Sequence, residues 1–305
     1  MTDRFTNLAP PAARQGPGTM PGPMVEALDV AIERRISNAF IGDRRSVGVG
    51  IGTELAQIRP YHVGDDVRSL DPAASARTGQ PHVRLQVPER ALTTWLVLDI
   101  SASMAFGTAD RLKADVAEGT ALAIGRMALR RAGQLGVVTF GAGEEQLLLP
   151  PRSSRAGNVA LRRALERGVA KDGVEDPSGL ADTLLRLGRI ARPATLIVIV
   201  SDFRGDHAWV RRLGALRTRH AAIAIEVHDP RESDLPDVGR LAVIDPETGR
   251  RVRVNTASKS LRRRFAQIEH DRRHKLADEL RRLQVPHIPL STEGDWLAAL
   301  GRGLG

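Results

Sequence analysis

Short, continuous apolar runs alternate along the chain with longer segments in which apolar residues recur every three or four positions. The continuous runs lie at residues 95–99, 136–140, 196–202 and 221–227. Segments with helical spacing lie at residues 111–131, 156–168, 179–191 and 207–219. Strands that are apolar throughout are buried on both faces, which is typical of parallel sheets covered by helices. The pattern therefore predicts an α/β fold with a doubly wound, mostly parallel sheet.

One segment interrupts this alternation, at residues 229–257. Within it, two apolar stretches at residues 241–244 and 251–254 flank a polar turn that contains Pro246 and Gly249. Apolar stretches on either side of such a turn predict a β-hairpin. We expect this hairpin to be an extra β arm inserted into the α/β domain.

The N-terminal part of the chain has a different pattern. Residues 1–24 contain five prolines and little periodicity, which predicts a disordered tail. Residues 25–40 have helical spacing, and residues 82–87 alternate like a half-buried strand. We therefore expect residues 25–92 to form a small N-terminal helix and β-rich region. The α/β domain is expected to follow over residues 93–305.

Composition narrows the class of protein. The chain has 305 residues, 42% of them hydrophobic but only 3% aromatic, so aliphatic side chains must fill the core. It contains no cysteine, which excludes disulfides and thiolate sites. No apolar run is long enough to cross a bilayer, and the N-terminal residues lack the apolar run of a secretory signal, so we expect a cytoplasmic protein. The net charge of +9 favours acidic partners, although an arginine-rich, solvated surface is the simpler interpretation.

Hard oxygen ligands follow two of the predicted strands. Asp99, Ser101 and Ser103 stand at alternating positions after one strand, and Asp202 follows another. Because parallel strands end at the same edge of a sheet, we expect these side chains to meet there. Carboxylate and hydroxyl oxygens suit Mg²⁺ or Mn²⁺ rather than zinc. The alternative is that Asp99 and Ser101 cap the helix that begins near Arg111; we favour the metal site.

The Asp-x-Ser-x-Ser pattern resembles the metal-ion-dependent adhesion site of von Willebrand factor A domains. The resemblance implies that Asp202 and a hydroxyl from an intervening loop complete the metal shell. Ser178 best matches that hydroxyl, with Thr183 and Asp182 as alternatives. The resemblance also implies recognition rather than turnover, in which Mg²⁺ keeps an open position for an Asp or Glu of a protein partner.

A longer motif lies upstream, at residues 59–71, which read RPYHVGDDVRSLD and are followed by Ala76 and Arg77. It resembles the signature of a bacterial family of unknown function that carries a von Willebrand A domain and is often encoded beside MoxR-type AAA+ ATPases. Pro72 stands where that family usually has tryptophan. The resemblance extends from about residue 48 to the C-terminus. It implies a MoxR-type AAA+ ATPase as partner, and an adaptor or co-chaperone role in protein assembly, maturation or stress response.

Two aspartates of this motif, Asp65 and Asp66, allow two interpretations. The segment could be a docking loop for a partner. It could instead be a turn in which both aspartates cap backbone amides while Arg68 and Arg77 pair with Asp71. We favour the turn, because a charge-rich turn needs no ligand.

A basic helix is predicted at residues 258–283, before a short strand at residues 285–290 and a helix near Trp296. Its apolar stripe is expected to consist of Leu261, Phe265, Ile268, Leu276, Leu280 and Leu283. The basic face could bind nucleic acid or a membrane surface, but no recognition module or aromatic platform accompanies it. We favour a solvated face or a contact with an acidic protein. His270 and His274 share a face of this helix, where a solvated pair is favoured over a metal site.

Several catalytic signatures are missing from the sequence. It contains no Walker loop, no GxSxG nucleophile elbow and no HExxH motif. Together with what the resemblance to von Willebrand A domains implies, we expect a non-enzymatic, metal-dependent protein-interaction module. The alternatives are a magnesium-dependent hydrolase or phosphatase that uses the same aspartates, and nucleic-acid binding through the basic surface.

Overall fold

The computed structural model describes nine stretches of the chain, at residues 54–63, 65–87, 93–107, 110–130, 133–142, 146–170, 179–192, 194–244 and 251–304. Among the described residues, those up to residue 87 form one compact unit and those from residue 93 onward form a second. The predicted tail at residues 1–24 and the predicted helix at residues 25–40 lie outside the described residues. No helix within the nine stretches combines the length and apolar character that crossing a membrane requires.

The N-terminal unit contains a two-stranded antiparallel sheet. Strand β1 (Glu54–Pro60) pairs with β2 (His82–Val87), which confirms the strand predicted at residues 82–87. Helix α1 (Pro72–Thr78) lies between them in sequence and begins after Asp71, whose carboxylate accepts two backbone N–H groups of the first turn. Proline fits the first turn of a helix because its missing N–H would have no partner there. Pro72 therefore serves as the start of a helix.

The two motif aspartates, Asp65 and Asp66, form a capped turn, as predicted. Asp65 lies 2.7 Å from the Arg59 guanidinium and accepts the N–H of His62 at 2.8 Å. Asp66 accepts the N–H of Arg68 at 2.9 Å. All of these contacts are made within the turn and its own strand, so the turn is held without a ligand.

The predicted pairing of Asp71 with Arg68 and Arg77 is wrong. The Nε atom of Arg84 lies 2.8 Å from Asp71 Oδ2 instead. The reason is that the N–H of Asp71 donates to the carbonyl of His82, which places Asp71 beside β2. The hydrogen bond from Arg84, together with those from the helix amides, holds the pKa of Asp71 at about 2, below its usual range.

A six-stranded sheet organises the α/β unit. Its strands are β3 (Thr93–Asp99), β4 (Gln134–Phe140), β5 (Leu148–Ser153), β6 (Leu196–Ser201), β7 (Ala221–His228) and β10 (His287–Ser291). Their order across the sheet is β10-β7-β6-β3-β4-β5. Every neighbouring pair is parallel except β4 and β5, which are antiparallel. The predicted doubly wound, mostly parallel α/β fold is therefore confirmed.

Helices cover both faces of this sheet. They are α2 (Lys113–Ala128), α3 (Ser154–Glu166), α4 (Leu180–Ile190), α5 (Trp209–Arg217), α6 (Lys259–Arg282) and α7 (Trp296–Leu304). One face packs against α4, α5 and α6 in a core that includes Trp95, Leu184 and Leu213. The other face packs against α2, α3 and α7. Burial on both faces explains why the central strands read as continuous apolar runs.

The edge strand β5 was not among the predicted elements. It contains Pro150 and Pro151, and a proline pair argues against a strand in the interior of a sheet. An edge strand tolerates proline because one side of its backbone needs no ladder partner. The position at the edge, which the sequence does not reveal, therefore accounts for the omission.

The predicted hairpin is present. Strands β8 (Arg240–Ile244) and β9 (Arg251–Asn255) pair with each other in antiparallel fashion, with Val243 opposite Val252. Both valine side chains are exposed. The turn at residues 245–250 lies outside the described residues.

The predicted apolar stripe of α6 is partly wrong. Leu276 and Leu280 are buried as expected, but Ile268 is 55% exposed. Glu269, the next residue, is buried in its place because two arginines, Arg204 and Arg272, pair with its carboxylate. An ionic contact thus determines which side of the helix faces inward at this position.

Candidate functional site

Two neighbouring strands bring the predicted site residues to one edge of the sheet. β3 and β6 are parallel, with Leu98 opposite Val200. The residues that end these strands, Asp99 and Ser201, therefore lie side by side, and Ser201 Oγ donates a hydrogen bond to Asp99 Oδ2 at 2.5 Å. Asp202 follows directly and is also buried.

A series of short contacts joins the predicted ligands. The N–H of Ser101 donates to Asp99 Oδ1 at 2.9 Å. The Oγ atoms of Ser101 and Ser103 lie 3.0 Å apart, and Ser103 Oγ donates to Asp202 Oδ2 at 2.8 Å. All four residues are less than a tenth exposed. The structure therefore brings Asp99, Ser101, Ser103 and Asp202 together, whereas Ser178 lies outside the described residues.

The alternative interpretation, in which Asp99 and Ser101 cap the following helix, is wrong. Ser101 precedes a separate 3₁₀ turn (Ala102–Ala105) rather than α2. The start of α2 has its own cap, because Asp115 Oδ2 accepts the N–H of Leu112 at 2.9 Å. The site aspartate and serines are thus not needed to begin α2.

Because Gly141 has no side chain, the backbone that follows β4 can lie close to the turn that carries Ser101 and Ser103. It follows β4, with a φ of +90° that side-chain-bearing residues rarely adopt. A Cβ atom at this position would lie 2.6 Å from Ser101 Cβ and 2.7 Å from Ser101 N. The position of Ser101 therefore depends on the missing side chain of Gly141.

A fully buried lysine completes the cluster. Lys113, the first residue of α2, has no exposed side-chain surface. Its Nζ atom lies 2.7 Å from Asp202 Oδ2 and 2.6 Å from Glu232 Oε1. Glu232 is itself fixed by a capping box, in which its Oε2 accepts the N–H of Asp229 at 3.1 Å. Lys113 therefore bridges the end of β6 and the turn after β7.

Arginines extend this network of charges towards α6. The N–H of Arg204 donates to Asp202 Oδ1 at 3.1 Å, and its guanidinium lies 2.9 Å from Glu269. Glu269 also pairs with Arg272 at 3.1 Å. Arg272 in turn lies 3.6 Å from the buried Glu226. Alternating charges thus connect the cluster with one face of α6.

The two aspartates of the cluster differ in their electrostatic surroundings. Burial, reinforced by the negative charge of Asp202, raises the pKa of Asp99 to about 7. Burial also acts to raise the pKa of Asp202, but the Lys113 ammonium outweighs it and holds that pKa below its usual value. Burial acts to lower the pKa of Lys113, yet the charges of Asp202 and Glu232 raise it. The charge of Asp202 is therefore compensated, whereas Asp99 receives hydrogen bonds from neutral groups.

The donor set fits Mg²⁺ or Mn²⁺ in its chemistry. Two carboxylates and two hydroxyls converge, and these are the hard oxygens that such ions prefer. Within the nine stretches, no group of three or more His, Cys, Asp or Glu side chains is arranged to hold a metal ion. A cation at this site would therefore depend on Ser101 and Ser103 as much as on the aspartates.

The two alternatives to Ser178 differ in exposure. Thr183 lies in the first turn of α4 and is buried, at 1% exposure. Asp182, the preceding residue, is exposed. Of these two residues, only Thr183 is as buried as Asp99, Ser101, Ser103 and Asp202.

The histidine pair on α6 lies on the surface. The rings of His270 and His274 meet edge to face, with their centroids 4.2 Å apart. Both side chains are exposed. This geometry is that of the solvated pair favoured from the sequence.

Three residues of the cluster were not predicted from the sequence: Ser201, Lys113 and Glu232. Ser201 precedes Asp202, and its role follows from the parallel register of β3 and β6. Glu232 carries a recognisable signal, because Asp-Pro-x-Glu is the spacing of a capping box. Lys113 carries no such signal, since a lysine at the start of a helix is normally solvated.

Solved structures with a similar chain path include von Willebrand A proteins. The conserved hypothetical protein BatB of Bacteroides thetaiotaomicron matches with a TM-score of 0.42 and 14% identity, over 70% of this chain and 97% of that one. A von Willebrand factor type A protein of Catenulispora acidiphila matches with a TM-score of 0.37 and 15% identity, over 70% of this chain and 41% of that one.

Proteins found by sequence comparison share a higher identity with this chain than those solved structures do. The uncharacterized protein Rv1480 of Mycobacterium tuberculosis is 37% identical over 279 residues, which cover 91% of this chain and 87% of the relative. The uncharacterized protein MAV169 of Mycobacterium avium is 36% identical over 154 residues, which cover 50% of this chain and 90% of the relative. Residues 57–275 match the model of the family "Protein of unknown function DUF58". The chain belongs to this DUF58 family.

Proposed function

We propose that the chain is a non-enzymatic protein-interaction module that recognises an acidic side chain of its partner through Mg²⁺ or Mn²⁺. Asp99, Ser101, Ser103 and Asp202 would hold the ion, with Ser178 as a further ligand. The observation that carries this proposal is the Asp99 carboxylate, which is buried and accepts hydrogen bonds from a backbone amide and a hydroxyl. A buried carboxylate without a cationic partner is costly, and a bound cation removes that cost.

The number of oxygen ligands leaves room for a ligand from a partner. Mg²⁺ binds about six oxygens in proteins, whereas Asp99, Ser101, Ser103, Asp202 and Ser178 would supply about five. A carboxylate of a protein partner would supply a further oxygen, with the electrostatic complementarity expected of a recognition site.

Recognition without turnover is supported by the way the polar groups of the cluster are engaged. Lys113 is held as an ammonium by two carboxylates, so it is unsuited to accept a proton. The hydroxyls of Ser103 and Ser201 donate to Asp202 and Asp99. A serine nucleophile needs a neighbouring base in hydrogen-bond reach, typically a histidine or lysine that is free to take a proton.

The partner that we propose is a MoxR-type AAA+ ATPase, with the chain acting as an adaptor or co-chaperone in protein assembly, maturation or stress response. The support is the resemblance of residues 59–71 to the family signature. An exposed aromatic side chain lies beside the cluster, since Phe106 is 40% exposed and the centroid of its ring is 6.0 Å from Lys113 Nζ. Aromatic side chains next to a polar anchor are typical of interfaces.

Binding of the purified chain to a purified MoxR-type ATPase of the same organism tests this proposal. We expect complex formation in Mg²⁺, loss of the complex in EDTA, and loss in Asp99→Asn. Asp234→Asn, which changes an exposed aspartate near the same edge, serves as the matched control and should bind like the wild type. Binding that is equal in EDTA, or equal for Asp99→Asn, would contradict the proposal. Phosphate-ester turnover that requires Asp99 would favour a hydrolase instead.

A further inference from the structure

The buried ammonium of Lys113 occupies the oxygen that a divalent cation at this site would need. Asp202 Oδ2 receives both the Ser103 hydroxyl, at 2.8 Å, and the Lys113 ammonium, at 2.7 Å. Like charges repel strongly where water is excluded. An ion held by Asp202 and an ammonium in contact with the same oxygen therefore compete for it.

Lys113 has a second acceptor that it can keep when it leaves Asp202. Glu232 Oε1 lies 2.6 Å from Nζ, and the capping box at Asp229 fixes the position of the Glu232 side chain. The main chain of Lys113 is also anchored, because its N–H donates to the carbonyl of Phe106 at 2.9 Å. A small movement of the side-chain end towards Glu232 would release Asp202 while the ammonium stays paired.

We infer that Lys113 is an internal cation that competes with Mg²⁺ or Mn²⁺ for Asp202, with Glu232 as the acceptor that retains it when the metal binds. This inference rests on the proposed metal site. Lys113 pairs with Asp202 in the metal-free state and lowers the affinity of the site for the ion. The cluster thereby remains folded without metal, and binding responds to the concentration of free cation.

Calorimetric titration of the intact chain with Mg²⁺ tests the inference. Because Lys113→Met alone removes the ammonium from both Asp202 and Glu232 and leaves Glu232 with Arg204, 3.2 Å away, as its cationic contact, the informative variant is the double variant Lys113→Met/Glu232→Gln. We expect it to bind Mg²⁺ at least tenfold more tightly than Glu232→Gln, since the two proteins differ only in the ammonium. Lys275→Met, at an exposed lysine of α6, is the matched control and should leave the affinity unchanged.

The single variant Glu232→Gln gives a second, independent measurement. Without the Glu232 carboxylate, Lys113 has Asp202 as its remaining anionic partner, so we expect the Mg²⁺ affinity to fall several-fold. Thermal unfolding with and without Mg²⁺ adds a further readout. The loss of a purely structural lysine would change the melting temperature but not its shift on adding Mg²⁺. The rise in melting temperature on adding Mg²⁺ should be larger for the double variant than for the wild type.

The outcomes separate this inference from the proposed function. Mg²⁺ binding by the wild type that is lost in Asp99→Asn but is the same in Glu232→Gln and the double variant overturns the role of Lys113 alone. Mg²⁺ affinity that is unchanged or increased in Glu232→Gln does the same, including when the double variant does not fold. If the wild type and both of these variants bind no Mg²⁺, the metal site and the inference fail together.

Discussion

Asp99 and Asp202 are chemically identical side chains that the fold treats differently. Asp202 contacts the Lys113 ammonium, whereas Asp99 accepts hydrogen bonds from the Ser201 hydroxyl and the Ser101 amide. Burial and the neighbouring charge therefore raise the pKa of Asp99 to about 7. A buried carboxyl group that destabilises the folded protein in this way is typical of a functional site.

Replacing Asp99 by asparagine should stabilise the metal-free protein at pH 8. The unfolded carboxyl ionises near pH 3.8, whereas the folded one keeps its proton until about pH 7, so the wild type loses stability as the pH rises between these values. We expect Asp99→Asn to raise the free energy of unfolding at pH 8 by about 1–3 kcal/mol, with little change at pH 4. Urea denaturation in EDTA measures this difference. A variant that is less stable than the wild type at pH 8 would contradict the assigned environment of Asp99.

Alanine at Gly141 should disturb the serine turn. The positive φ of Gly141 and the close approach of Ser101 leave no room for a Cβ atom. We expect Gly141→Ala to lower the free energy of unfolding by about 1–3 kcal/mol and to weaken the response of the melting temperature to Mg²⁺. Gly205→Ala is the control, because a Cβ at Gly205 meets nothing within 4 Å. Equal stability of the two variants would show that the turn does not depend on Gly141.

The sequence indicated the four oxygen-bearing side chains that meet at the ends of β3 and β6, but not the buried lysine beside them. Asp99, Ser101 and Ser103 stand in a short pattern behind a strand, and Asp202 ends another strand, so both signals are local. Lys113 reaches Asp202 only because α2 begins behind the same edge of the sheet. Such a contact depends on how a helix start is placed in three dimensions, which a single sequence does not encode locally.

Helix α6 shows how an ionic contact changes the face that a helix buries. Apolar spacing predicted that Ile268 faces inward, but Glu269 is buried and Ile268 is exposed. The partners of Glu269 are Arg204, which follows β6, and Arg272, one turn further along α6. This buried pairing links α6 to the segment that carries Asp202.

Neutralising Glu269 should destabilise the protein more than neutralising a comparable exposed residue. We expect Glu269→Gln to lower the free energy of unfolding by about 1–3 kcal/mol, because Arg204 and Arg272 would lose a buried anionic partner. Asp278→Asn is the matched control, since Asp278 pairs with Arg281 on the same helix at the same spacing but in solvent. Its effect should stay below about 0.5 kcal/mol. Chemical denaturation of both variants provides the test, and effects of equal size would contradict the argument.

Some strands and helices were predicted from the sequence, and one strand was not. Strands β3, β6 and β7 each contain a continuous apolar run, and the helices between them keep a clear spacing, so both were predicted. Strand β5 was missed because Pro150 and Pro151 are acceptable only at a sheet edge. Edge position is a property of the assembled sheet rather than of the segment.

The half-buried side chain of His228 is expected to make the stability of the molecule sensitive to acid. Burial, together with the positive charge of Arg273, lowers the pKa of His228 to about 4. The unfolded histidine takes up a proton near pH 6.5, so below that pH the unfolded state binds more protons than the folded state. This contribution to stability is complete above pH 6.5 and is lost as the pH falls towards 4.

Replacing His228 by asparagine should reduce this acid sensitivity. We expect the urea midpoint of His228→Asn to fall less between pH 7 and pH 4.5 than that of the wild type. Denaturation curves at several pH values in this interval give the comparison. Midpoints that fall in parallel for the two proteins would show that His228 does not titrate between folded and unfolded states as assigned.

Metal binding by the intact chain is the property on which the proposed recognition depends. Calorimetric titration with Mn²⁺, comparing the wild type with Ser101→Ala/Ser103→Ala, measures it directly, because this double variant removes two hydroxyl ligands and leaves every charge in place. The proposed site predicts that the wild type binds one ion and that the double variant loses this binding. Equal binding by both proteins, or no binding by the wild type, would contradict a metal-dependent interaction module.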